Sequence, residues 1–129
     1  HMPTPIVIPL CGATGSKIPL DTEGVAHDGQ SQMSYPLGHP NDYQTARLVV
    51  GADGTVDDAT VAYHLHDYAS GENVASVPNA GPNGDKMLTQ WDPAEMAGAS
   101  SMGLRVVVTN PSDTQGSHMD VDARVVLLP

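Results

Sequence analysis

The sequence predicts an all-β domain, a two-sheet β-sandwich of about eight strands, with the jelly roll as one topology open to it. Three observations lead there. Apolar runs recur every ~8–12 residues with turn residues between them, the spacing of a sandwich or barrel. Glycine (13) and proline (11) make up about a fifth of the 129 residues, against a usual ~12%. Charged residues are only 16%, which excludes a coiled coil or helical bundle, and the 40% apolar content excludes a wholly disordered chain. Phenylalanine is absent. The core must be built from Val, Ile, Leu, Met and Ala, which suit the thin layer between two sheets ~10 Å apart.

His1-Met2 reads as an expression scar, leaving one domain over residues 3–129. No repeat or linker divides it. No basic n-region and long apolar stretch follow the start, so no signal peptide is expected in the chain as given. No apolar run reaches ~18 residues, so no membrane-spanning helix is expected.

Ile6 to Cys11 reads as a strand, and Pro9, lacking an N–H, assigns it to a sheet edge. Gln32 to Tyr35, Asn73 to Val77 and Lys86 to Trp91 are weaker strands. Between Tyr43 and Tyr68, Asp53-Gly54 is the preferred pair for a tight hairpin turn, whose central positions need φ > 0. With that turn, Leu48 faces Ala59, Ala46 faces Val61 and Gln44 faces Tyr63. On the other side Arg47 meets Thr60, Thr45 meets Ala62 and Tyr43 meets His64. Asp92-Pro93-Ala94-Glu95 carries the capping acid, first-turn proline and N3 glutamate of a helix near residues 92–98, closed by Gly98. Met102, Leu104, Val106 and Val108 alternate with Gly103, Arg105, Val107 and Thr109 as one strand. After the loop from Asn110 to Gly116, Met119, Val121, Ala123, Val125 and Leu127 form the buried face of another. Val126 and Leu128 predict that its end is covered on both sides.

Five basic against fifteen acidic residues give a formal charge of −10. That field opposes nucleic acid and anionic lipid, so neither is an expected partner. Cys11 is the single cysteine. No intrachain disulfide exists, and the thiol reads as buried and inert within its apolar run.

His64-Leu65-His66 is the most chemical of the local patterns. On a strand both imidazoles stand on one face, where two histidines can chelate a metal, and Asp67 or Glu72 could add oxygen. Over Gly54 to Glu72 this resembles the His-x-His start of a cupin metal motif. The resemblance implies a metal-dependent enzyme using His64 and His66. Five residues separate His66 from Glu72 where the family pattern has fewer, and its second motif has no match here. Other candidates lack partners. Ser117, His118 and Asp120 are neighbours in sequence without a nucleophile elbow. Asp53, Asp57 and Asp58 do not follow the EF-hand pattern. His27, His39 and His118 each lie near an acid in loops or at strand ends. No phosphate-binding glycine motif occurs.

The hairpin register puts Tyr43, His64, His66 and Tyr68 on one face, as a candidate ligand or partner surface. Trp91 reads as a core plug. Three readings follow. The first, which the lack of a complete catalytic set favours, is a non-enzymatic assembly module without cofactor, decorating or cementing a virion (phage capsid) or surface shell. Its partners would be itself, as a homo-oligomer with a trimer expected on a symmetric shell, and the larger assembly. Its place would be the virion or an extracellular surface. Acid would loosen a contact holding the two histidines. The second is a carbohydrate- or ligand-binding sandwich using Tyr43 and Tyr68, and the third is the cupin-like enzyme.

Overall fold

The computed structural model describes residues 4–10, 17–33, 43–93 and 102–129. Among these, nine strands form. They are β1 (Ile6–Pro9), β2 (Ile18–Pro19), β3 (Gly24–Met33), β4 (Thr45–Gly54), β5 (Thr60–Asp67), β6 (Glu72–Ala80), β7 (Gly84–Trp91), β8 (Met102–Asn110) and β9 (His118–Leu128). The first sheet has the order β1-β9-β4-β7, with β2 also on β9, and the second has the order β3-β8-β5-β6. All pairs are antiparallel.

The pairs nest. β1 and β2 pair β9, β3 pairs β8, β4 pairs β7, and β5 pairs β6. The chain is thus one long hairpin, with its tip at the turn after Asp67, rolled until β4 meets β9 and β5 meets β8. That is the jelly-roll arrangement of two packed sheets. Its core follows from period-2 patterning. Ala46, Leu48 and Val50 of β4 and Met119, Ala123, Val125 and Leu127 of β9 are fully buried. So are Val61, Tyr63 and Leu65 of β5 and Met102, Leu104, Val106 and Val108 of β8. Trp91 packs against this core, half-buried.

Strand pairing overturns one expectation. β4 and β5 lie in different sheets, so the Asp53-Gly54 hairpin and its register do not exist. Asp53 pairs Asp120 and Gly54 pairs Met119, both still within the ladder. Neither has the positive φ that a tight hairpin turn demands. The chain instead crosses between sheets through residues 55–59. Gly54 is needed there for closeness rather than curvature. A Cβ on it would stand 2.9 Å from the Pro82 carbonyl oxygen. Its N–H donates to Asn83 Oδ1 at 2.7 Å. Asn83 Nδ2 in turn donates to the Val56 carbonyl at 3.1 Å and to Asp57 Oδ1 at 2.7 Å, pinning the crossover. Asp58 accepts from Ser112 Oγ at 2.6 Å, so Asp57 and Asp58 serve different partners.

β1 is the edge strand that Pro9 predicted. Val126 and Leu128, expected to be covered, are half-buried on the outer face of the first sheet. Of β3 the sequence predicts only the end, within Gln32 to Tyr35, because Gly24–Met33 mixes polar and apolar residues without clean alternation. Bulges near Ala26 and after Gln30 break its register with β8. The expected helix from Ala94 onward, and also Cys11, Tyr35 and His39, lie outside the described residues.

Candidate functional site

The outer face of the second sheet gathers the histidine pair. Leu65 points into the core, so His64 and His66 on either side of it point out, as expected from their spacing. Across the sheet, the register sets Asp28, Arg105, His64 and Ser76 in one row and places Asn73 beside His66. His64 Nδ1 lies 2.6 Å from Ser76 Oγ. His66 Nδ1 donates to Asn73 Oδ1 at 2.7 Å. Although it faces outward, His66 is only 4% exposed.

Tyr68 belongs to the turn between β5 and β6. Its ring meets that of His66 edge-on, with centroids 4.8 Å apart and planes at 80°. Its hydroxyl donates to Asp28 Oδ1. Arg105 grips the same carboxylate, with Nη2 3.3 Å from Oδ2 and Nε 3.4 Å from Oδ1. The guanidinium carbon sits 5.8 Å from the Tyr68 ring centroid. Tyr68 thereby ties the β5–β6 turn across β8 to β3.

The electrostatics follow from these contacts. The hydrogen bond from Tyr68, then that from Arg105, holds the Asp28 carboxyl below the usual range. Burial, and then the bond to Asp28, pushes the Tyr68 phenol up to about 12. Burial, with the charges of His66 and Arg105, lowers the His64 imidazole. At neutral pH the face therefore holds a neutral His64, a protonated Tyr68 and a closed Asp28–Arg105 pair.

Four members of this cluster escaped the sequence reading: Asp28, Ser76, Asn73 and Arg105. The available signal was Arg105, a charge on the outward positions of an apolar strand. Asp28 was hidden with β3. Tyr43 does not join the cluster. It is 7% exposed, lies before β4 at the first sheet, and its hydroxyl donates to the Thr4 carbonyl at 3.1 Å. Its expected partnership with His64 fails because β4 pairs β7 and β9 rather than β5. Among the described residues, no group of three His, Cys, Asp or Glu side chains is placed to hold a metal ion. His64, His66, Tyr68, Asp28 and Arg105 each spend polar atoms on one another or on Ser76 and Asn73, an arrangement that fixes the turn.

This network makes stability pH-dependent in a stated direction. The His64 pKa is lowered in the fold, so the unfolded chain takes up its proton first. Its contribution is complete above pH ~6.5 and is lost as pH falls through the lower folded value. Asp28, Asp21, Asp58 and Asp67 are also lowered. Their contribution is present above ~3.8 and lost at still lower pH. Urea midpoints at pH 8 and pH 5 are expected to differ less for His64→Gln than for the parent. An equal difference in both would show that His64 titrates alike folded and unfolded.

Compared with protein-family models, with curated proteins and with solved structures, the chain matches none.

Proposed function

We propose that the chain is a non-enzymatic assembly module, a small jelly roll that associates with itself and decorates or cements a larger protein shell such as a phage capsid or surface layer. The observation that carries this reading is the outer face of the first sheet. Val7 of β1 is 56% exposed and Leu88 of β7 is 51% exposed. Between them runs a groove of about 270 Å³ lined by Arg47, Val49, Leu88, Arg124, Val126 and Leu128. Large apolar side chains grouped on one open sheet face mark a surface built to be covered. The edge strand β1 beside it adds backbone groups that a neighbour can pair.

The closed network on the other sheet supports the same reading. Tyr68, the ring a sugar would stack on, already has Arg105 over it, His66 at its edge and its hydroxyl on Asp28. The test is the mass of the purified protein by light scattering at neutral pH over a wide concentration range. A mass that rises with concentration above 13.4 kDa is expected. A monomer at every concentration would overturn self-association.

A further inference from the structure

Asn83 lies in the turn between β6 and β7 and clasps the crossover with both ends of its amide. Its Oδ1 accepts from the Gly54 N–H at 2.7 Å. Its Nδ2 donates to the Val56 carbonyl at 3.1 Å and to Asp57 Oδ1 at 2.7 Å. The last two bonds need an NH2 group, because an oxygen in its place would meet two acceptors. The next residue is constrained as well. Gly84 has a φ of +144°, which L side chains rarely adopt, and it opens β7 opposite Ala52.

The fold thus calls for asparagine followed by glycine, and that pair is chemically labile. A backbone nitrogen can attack Cγ of the preceding asparagine, and glycine, with no side chain, hinders the attack least. The five asparagines of the chain are followed by Asp42, Val74, Ala80, Gly84 and Pro111. A branched valine shields its nitrogen, and proline has no N–H to lose. Asn83 alone is followed by glycine, and it is exposed, so water reaches it.

We propose that Asn83 is a deamidation site, closed while it clasps the crossover and unable to clasp again once it has reacted. The Gly84 nitrogen forms a bond to Cγ as the Cγ–Nδ2 bond breaks. The proton of that nitrogen leaves with the side-chain NH2 as ammonia. Water then opens the resulting succinimide at either carbonyl, leaving aspartate or isoaspartate. The sum is hydrolysis of one amide, with water as the only co-reactant. The attack needs the amide turned onto its own backbone, away from Gly54, Val56 and Asp57. It therefore proceeds from the locally opened state. In the product, a carboxylate at this position can still accept from the Gly54 N–H. It has nothing to donate to the Val56 carbonyl, and it repels the Asp57 carboxylate. The isoaspartyl form also adds a backbone carbon just ahead of Gly84, where the β4–β7 ladder begins.

The test is incubation at mildly alkaline pH, folded and in guanidinium chloride, followed by peptide mapping by mass. Asn83 is expected to lose its amide about tenfold or more faster in the denatured chain. Asp57→Ala removes one of the two Nδ2 acceptors and is expected to speed the reaction of the folded protein severalfold. The deamidated form, separated by its extra negative charge, is expected to unfold at lower urea than the parent. Asn83→Asp is expected to lower the urea midpoint further than Asn83→Ala. High salt should narrow that gap, because like charges cause it. Failure of Asn83→Asp to fold where Asn83→Ala folds would give the same ranking. Equal rates in folded and denatured protein, or an unchanged rate in Asp57→Ala, would overturn the guarding role of the clasp. A deamidated form as stable as the parent, or Asn83→Asp no less stable than Asn83→Ala, would overturn the consequence.

Discussion

Truncating Tyr63 to alanine is expected to cost about 3–5 kcal/mol of unfolding free energy, as removal of a large buried ring does. Tyr63 is the largest of the fully buried side chains. It stands on β5 within a core built mostly of aliphatic residues, methionine and alanine, where Tyr43 and Trp91 are the other rings in or against it. With a typical domain stability of ~5–15 kcal/mol, such a loss leaves little margin. Tyr63→Phe separates the ring from its hydroxyl. The hydroxyl reaches only the Gly81 carbonyl at 3.5 Å and Met119 Sδ at 3.4 Å. Burial pushes this phenol up, which keeps it protonated. Long bonds of this kind repay little, so the phenylalanine variant is expected within about 1 kcal/mol of the parent. Urea denaturation of both variants checks the pair. A Tyr63→Ala cost no greater than that of Tyr63→Phe would show that the core collapses around the missing ring.

Gly54→Ala is expected to destabilise by about 1–3 kcal/mol, the usual penalty of overpacking. The added methyl would stand 2.9 Å from the Pro82 carbonyl oxygen and 3.2 Å from that of Val56. Both are backbone atoms in the crossover that Asn83 holds, so neither yields as a flexible side chain would. Gly51 lies three residues earlier on the same strand and is the natural control. The nearest atom to its added Cβ is the Asp122 carbonyl oxygen at 4.0 Å, and its φ is not in the left-handed region. Gly51→Ala is expected to be neutral or stabilising by up to about 1 kcal/mol, through the lower entropy of the unfolded chain. If the two variants melted alike, the close approach of the Pro82 turn to Gly54 would be wrong. The result bears on topology, since an Asp-Gly hairpin would also need glycine but for positive φ, and Asn83 would then be free of Gly54. Asn83→Ala distinguishes the two, because only the crossover loses stability with it.

Which side of each strand is buried was decided locally. Ala46, Leu48 and Val50, the odd positions Met119 to Leu127, and the even positions Met102 to Val108 alternate so regularly that their inward direction was legible before any partner was known. The same parity placed His64 and His66 together on an outer face. The partners of those strands were not legible. Backbone ladders bond through N–H and C=O groups that every non-proline residue carries, so they hold little sequence identity. The choice between a β4–β5 hairpin and a crossover is made by how two whole sheets close over one core. Asp53-Gly54 looked like a turn because its residues tolerate one. In the fold the second of them is needed to let another segment pass. The site divides in the same way. Its histidines came from spacing along one strand, while Asp28, Arg105, Ser76 and Asn73 reached them from three others. Residues 40 to 77 positions apart in the chain, such as Tyr68 and Asp28 or Arg105 and Asp28, become neighbours only through register. The sequence by itself determined the layers and their inward faces, because a side-chain period of two is a property of consecutive residues. The tertiary structure alone decided which strands are neighbours, and with them which charges meet, because that choice depends on the packing of the rolled sheets as a whole.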